Sequence, residues 1–273
     1  MTENAQTRIV EERIDSAVMS KIAAMLDLAI PGAEAGDIVP RGWHFPALGA
    51  ATRRSELRSD GYPGLGVPMP DLGLPRLLQA GREVRFLGDI AVGEPLVRIS
   101  SLADLRQKGE GDAARAIVTV RHELRSVNRD EALVIEDQIF VLMAPARYQH
   151  RGQEQIAIDA DVKRTVTPDA IMLFQYSALG FNSHKIHIDR AHATEVEGFP
   201  DLVVNGGLVT LLISEFLRCD LAVTPSRLKI TNLLPLFCDR SLTLAANATG
   251  GGWQVRVHDD AGQVAAEAEL EIS

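Results

Sequence analysis

The segment Phe181-Asn182-Ser183-His184-Lys185-Ile186-His187-Ile188-Asp189 places two imidazoles, one side-chain amide and one carboxylate within eight residues. Histidine exchanges protons near neutral pH, whereas an asparagine amide only donates and accepts hydrogen bonds. The set therefore suits proton transfer beside an oriented water. It follows an apolar, aromatic run (171–176) and precedes a very apolar helix, and polar groups squeezed between two core elements mark a pocket. With His192 the same residues also resemble a metal-ligand cluster. Read as extended chain, 184–189 sends His184 and His187 to opposite faces, which weakens a shared site. No metal and no cofactor are assigned.

The elements that must position these groups follow from periodicity. Residues 14–28 carry apolar side chains at helical spacing, and Pro31-Gly32 ends them. Residues 36–75 are rich in Pro and Gly, an irregular stretch of the kind that is often functional. A short helix is predicted over 74–80, stopped by Gly81. Strands are predicted over 82–86, 94–106, 115–126 and 132–143; Val118, Val120, His122 and Leu124 alternate with Thr119, Arg121, Glu123 and Arg125. Residues 144–161 break the pattern and read as a connection. A helix over 206–218 and strands over 227–232, 241–247, 253–259 and 263–272 follow, with turns at 250–252 and 259–262.

Each half thus reads as one helix followed by four antiparallel strands. The division falls at residues 1–150 and 151–273. Leu208, Val209, Leu211, Leu212, Ile213, Phe216 and Leu217 leave the second helix almost no polar face, so it is buried. Periodicity alone gives an α+β protein with an antiparallel sheet around a buried helix.

Composition narrows the function classes. The chain of 273 residues is long enough for a sizeable core, and its net charge of −9 argues against general nucleic-acid binding. The two cysteines, Cys219 and Cys238, form no C-x-x-C, so a disulfide scaffold or cysteine zinc site is not expected. No signal-type stretch and no membrane-length apolar run occur, and the expected location is cytoplasmic, with no membrane partner. G-x-S-x-G, G-x-G-x-x-G and P-loop motifs are absent.

From Phe174 through Asp189, and again over Glu197-Gly-Phe-Pro-Asp-Leu-Val-Val-Asn205-Gly206, the sequence resembles the MaoC-like hydratase (hydratase 2) family. Trp43-His44-Phe45, Asp60-Gly61-Tyr62-Pro63, Leu74-Pro75-Arg76 and Ala80-Gly81 resemble its divergent branch, which contains mesaconyl-C4-CoA hydratase, itaconyl-CoA hydratase and 3-hydroxyacyl-thioester dehydratase type 2. The resemblance implies a double hot-dog fold, two antiparallel sheets each wrapping a central helix, and a CoA thioester as substrate. The family's common motif is Asp, any residue, Asn-Pro, an apolar residue, then His. His187 matches the catalytic histidine; Asn182 stands at the Asp position, His184 at the Asn position and Lys185 at the Pro position.

The resemblance also implies a catalytic loop beside the N-terminus of the second-half helix, here Asn205-Gly206-Gly207, whose free N–H groups suit a developing enolate. His187 is then the general acid/base, Asn182 the holder of the attacking water, and the Gly206 and Gly207 backbone the oxyanion site. His184 and Asp189 are supporting residues. Asn205, Lys185 and Arg190 are weaker substrate-binding candidates; Lys185, Arg190 and Arg76 are the cations that an acyl carboxylate would require. Arg53, Arg54 and Arg58 are either CoA-phosphate contacts or solvated surface. Trp43 and His44 read as fold landmarks. The expected substrate is a short, branched or dicarboxylic enoyl-CoA. A dehydratase of fatty-acid synthesis, an acyl-CoA thioesterase and a non-catalytic acyl-CoA-binding protein remain open, as does a homodimer.

Overall fold

Alternation of apolar and polar residues over 115–126 produces a strand with those bounds, buried on every second residue. The computed structural model describes residues 7–29, 34–49, 51–144, 148–149, 155–250 and 252–272. Among them the strands are β1 (Arg8–Glu12), β2 (Arg76–Phe86), β3 (Leu96–Lys108), β4 (Arg115–Ser126), β5 (Ala132–Met143), β6 (Val162–Val166), β7 (Pro225–Asn232), β8 (Leu242–Thr249), β9 (Gly252–His258) and β10 (Val264–Ile272). The helices are α1 (Ser16–Met25), α2 (Ala170–Leu179), α3 (Lys185–Ile188) and α4 (Gly206–Cys219).

All strands join one antiparallel sheet in the order β1-β3-β4-β5-β2-β7-β10-β9-β8-β6. Read inward from its two ends, the sheet repeats one connectivity. Each half has a first edge strand, then its third, fourth and fifth strands, then its second at the centre. The halves meet where β2 pairs with β7, with Val84 opposite Leu228.

Helix α4 is buried from Gly207 to Leu217. Each fully buried Leu, Ile or Phe on it contributes roughly 1.5–3 kcal/mol of transfer free energy, which outweighs any local preference. Its one buried carboxylate, Glu215, accepts from Trp43 Nε1 at 2.7 Å and pairs with Arg218. Trp43 is thereby a clamp between the N-terminal segment and α4.

The α+β double hot-dog expectation matches this architecture, with differences in detail. The two sheets are continuous, and among the described helices α4 alone is enclosed. On the β4–β5 inner face, Ala116, Val118, Val120, Phe140 and Leu142 are covered by Tyr62, Leu65, Val67, Met69, Leu72 and Leu74 from the Pro/Gly-rich segment. Each half also has a fifth strand, β1 or β6, before its helices. The helix predicted over 74–80 is instead the start of β2. Gly81 does not stop a helix; it lets β2 approach β7, because a Cβ there would strike the Ile230 carbonyl. The 259–262 turn is present, closed by Gly262 N–H donating to Asp259 O at 3.0 Å. The strands β8 and β9 flank the turn expected over 250–252, pairing Thr249 with Gly252; residue 251, the helix stop at residues 31–32 and part of the 144–161 connection lie outside the described residues. Among the described residues no helix is long and apolar enough to cross a membrane.

Candidate active site

Helix α2 starts with Asp169 accepting from Met172 N–H at 2.8 Å. It ends in a left-handed residue, Phe181 (φ 48°), with Asn182 N–H donating to Ser177 O at 2.8 Å and Phe181 N–H to Ala178 O at 3.3 Å. These two bonds form a Schellman closure, which turns the chain sharply into the histidine segment. Asn182 Oδ1 then accepts from His184 N–H at 3.1 Å. The result is a helical turn, α3, where extended chain was expected, and it closes with Asp189 N–H donating to Lys185 O at 2.8 Å. His184 and His187 consequently do not point apart: their rings meet edge to face with centroids 5.4 Å apart. Among the described residues no three His, Cys, Asp or Glu side chains form a group that could hold a metal ion.

His187 is buried, and its Nδ1 lies 2.7 Å from the Val203 carbonyl oxygen. A carbonyl only accepts, so Nδ1 carries the proton and Nε2 is the bare nitrogen of the neutral ring. Burial pulls its pKa down to about 4, against the opposing effect of the Val203 bond. Burial, then the neighbouring His187, hold His184 well below the usual histidine range. Both rings are neutral at neutral pH.

The segment 203–205 connects this turn to α4. Val203 N–H donates to Ile186 O at 2.9 Å, and Asn205 Nδ2 donates to Ser177 Oγ at 3.2 Å. Asn205 is therefore occupied with α2 and makes no side-chain cap on α4. The first N–H groups of a helix have no intrahelical partner, so α4 presents an uncapped positive end. Tyr176 packs its hydroxyl against Gly207 so closely that a Cβ there would collide with it. Burial raises the Tyr176 pKa to about 12, so it remains a phenol.

A loop from the other half closes the site. Lys185 N–H donates to Asp60 O at 2.8 Å, Ser183 Oγ to Gly61 O at 2.7 Å, and Lys185 Nζ to Ser59 O at 2.8 Å. Gly61 (φ 77°) admits no side chain against the Ser183 carbonyl. Asp60 Oδ2 reaches 3.7 Å from His184 Nε2, and the Tyr62 ring lies 5.2 Å from the His184 ring.

One cavity of about 420 Å³ holds Asn182, His184, His187, Asn205, Gly206, Gly207, Tyr62 and Tyr176 at its walls. Its remaining walls bring in Gln79, Arg82, His122 and Gln138 from the sheet. Sequence reasoning missed Asp60, Tyr62, Tyr176 and Arg82. The available signal was a polar residue at a core-facing strand position, as at His122 within the β4 alternation. Several expected participants lie elsewhere. Asp189 is exposed and accepts from His192 N–H at 3.0 Å, finishing the α3 turn. Lys185 spends its ammonium on Ser59. Arg190 is exposed and pairs with Asp201 and Asp239. Arg76 pairs with Glu197 and stacks over Phe199. Arg53 and Arg54 are exposed, while Arg58 donates to Pro75 O within the closing loop.

A double hot-dog whose cavity is lined by a buried histidine and an uncapped helix N-terminus fits a hydratase or dehydratase of acyl thioesters. Residues 42–238 match the hydroxyacyl-thioester dehydratase type 2 family, and the chain belongs to it. It is 30% identical to a mesaconyl-C4-CoA hydratase of Chloroflexus aurantiacus, over 98% of this chain and 95% of that protein. A MaoC-like dehydratase of Phytophthora capsici superposes with a TM-score of 0.70 at 13% identity, covering 99% of this chain and 96% of that one. A Mycobacterium tuberculosis protein described as a double hot-dog fold superposes with a TM-score of 0.61 at 14% identity, covering 98% and 96%.

Proposed function

We propose that the protein reversibly hydrates a short, branched or dicarboxylic enoyl-CoA of the mesaconyl-C4-CoA type, with His187 as the sole general acid/base. The carrying observation is the fixed tautomer: the Val203 carbonyl holds the proton on Nδ1 and leaves the Nε2 lone pair for chemistry in the cavity. On this reading Nε2 takes a proton from water as the water oxygen bonds to C3. The C2=C3 pair moves onto C2 and the thioester oxygen, where the N–H groups of Gly206 and Gly207 stabilise the enolate. Nε2–H then protonates C2, and the sum is addition of one water. Asn182 Oδ1 is engaged with His184, so its amide Nδ2 is the group that holds the water. Residues 1–150 supply acyl-binding walls, and residues 151–273 carry the hydratase motif.

The relative's 30% identity over nearly the whole chain supports the mesaconyl-type acyl group. The family description supports a 3-hydroxyacyl thioester as the alternative substrate. Incubation with crotonyl-CoA and with mesaconyl-C4-CoA, following enoyl absorbance and free thiol, tests the proposal. Loss of absorbance without thiol is expected. Thiol release identifies a thioesterase instead, and tight binding with neither change identifies a binding protein; either overturns the reading.

A further inference from the structure

A polar stripe crosses the buried face of the N-terminal half of the sheet. Arg82 on β2 faces Gln138 on β5; Glu136, two residues along β5, faces His122 on β4, which faces Ser100 on β3. Arg82, Glu136, His122 and Ser100 are all buried, among Val84, Phe86, Val120 and Leu124. An apolar stripe would be at least as stable there, because desolvating a buried ion pair costs about as much as the pair returns. A function other than stability is the economical reason for the charges.

We infer that Arg82 anchors a free carboxylate at the far end of the acyl group, so that the cavity selects monothioesters of dicarboxylic acids. The inference rests on the acyl-CoA reading above. Arg82 is 5% exposed and lines the same cavity as His187. Its guanidinium stacks over Phe45 at 4.4 Å and lies 3.0 Å from Glu136 Oε1. Its Nε and Nη1 nevertheless make no hydrogen bond among the described residues. Five N–H donors in a planar fork match a carboxylate, and one partially engaged glutamate does not exhaust them. Gln138, whose Nε2 donates to Glu136 Oε1 at 3.0 Å, holds that glutamate in place. Burial and Arg82 itself push the neighbouring His44 pKa down to about 3, and burial with Arg98 and Arg82 does the same for His122. Both imidazoles are thus neutral, and among the described side chains on the cavity wall Arg82 is the cation. The alternative cations Lys185, Arg190 and Arg76 lie off the cavity wall, on Ser59, Asp201 and Glu197.

The test uses unreactive saturated probes, succinyl-CoA with a terminal carboxylate and butyryl-CoA without one. Calorimetric titration of the wild-type protein should show succinyl-CoA binding at least about tenfold tighter, the range of a hydrogen bond to a charged group. Arg82→Gln removes the anchor but leaves Glu136 buried alone, so the paired variant Arg82→Gln/Glu136→Gln, which removes both charges, accompanies it. In either folded variant the preference should shrink to within about twofold, by the same reasoning. Equal affinities in the wild type, or a preference that survives both variants, overturns the inference. The two readings fail separately. A succinyl-CoA preference without hydration of any enoyl-CoA refutes the hydratase and supports the anchor. Equal hydration of crotonyl-CoA and mesaconyl-C4-CoA with no binding preference refutes the anchor and leaves the hydratase.

Discussion

Asp60 brings its carboxylate to 3.7 Å from His184 Nε2, from the opposite half of the chain. The motif position where the family's common pattern has a carboxylate holds Asn182, so the nearest acidic group arrives by a different route. Asp60 is held by Tyr62 N–H at 2.9 Å, by the Arg58 guanidinium at 3.4 Å, and through its own carbonyl by Lys185 N–H. At 3.7 Å it forms no direct hydrogen bond with His184. We propose that Asp60 and its loop position the histidine pair and exchange no proton with substrate.

Asp60→Asn should therefore lower kcat by less than the ~100-fold minimum of an acid/base residue, with KM little changed. Steady-state kinetics with both substrates checks this. A loss as deep as that of a His187 variant would transfer the proton-carrying role to Asp60.

His187→Ala should reduce turnover of the folded protein at least ~100-fold, since acid/base work is worth 10²–10⁴ in rate. The pH profile gives an independent sign. A histidine lowered to about 4 is a competent base at every pH above that value. The acid limb of kcat/KM should thus fall near pH 4 and not near 6.5. A limb at 6.5 would assign the base to another group.

Asn182→Asp installs a carboxylate beside His184 and His187. It also retains the acceptor oxygen that Asn182 offers to His184 N–H, so α3 should form as before. Two acid/base groups can divide the work between water and C2, and an increase in kcat is expected. A decrease greater than about 100-fold, the scale of losing the general base itself, would mean that the Asn182 amide donors are indispensable to holding the water.

The legible parts of the sequence were those where one periodicity dominated. β4 has the bounds expected because its burial alternates along its whole length, β5 because two apolar runs flank Glu136-Asp137-Gln138, and α4 announced itself by having almost no polar face. β1 and β6 were not legible. They are short edge strands, RIVEE and VKRTV, whose charges protect an open edge and mask alternation. β2 was misread at its start because Leu74, Leu77 and Leu78 fall at helical spacing. His187, Asn182 and the α4 N-terminus were readable because they lie close in sequence. Asp60 and Arg82 were not, because only the assembled fold brings them near the histidine segment, far away in sequence. A β-bulge between Gln79 and Gly81 further hides that Gln79 and Arg82 share a face.

Acid should destabilise the fold through its buried histidines. His44 and His122 lie near 3, His187 near 4 and His184 well below its ordinary value. Each folded pKa is below the unfolded one, so the unfolded chain binds more protons as pH falls below 6.5. Stability is full above about 6.5 and declines as pH falls toward 4, by on the order of 1 kcal/mol per histidine per pH unit. Urea titrations at pH 7, 5.5 and 4.5 check the slope. A flat midpoint over that window would show that these imidazoles are solvated.

Gly207→Ala separates helix propensity from site geometry. In an ordinary helix alanine is more favourable than glycine by roughly 0.8–1 kcal/mol. Here the new Cβ would meet the Tyr176 hydroxyl, with the ring carbon bearing it at 3.0 Å. Tyr176 is buried between α2 and α4 and has little room to move. Gly207→Ala should therefore lower the thermal midpoint instead of raising it. It should also reduce turnover, because the methyl occupies the approach to the α4 N-terminus. Adding Tyr176→Phe removes the colliding oxygen, so the double variant should recover midpoint relative to the single one. The two substitutions would then be coupled, as expected for side chains in contact. Turnover should stay low in the double variant, because the methyl remains. A single variant that is both more stable and fully active would show that neither the Tyr176 contact nor close approach to the α4 backbone requires glycine at 207.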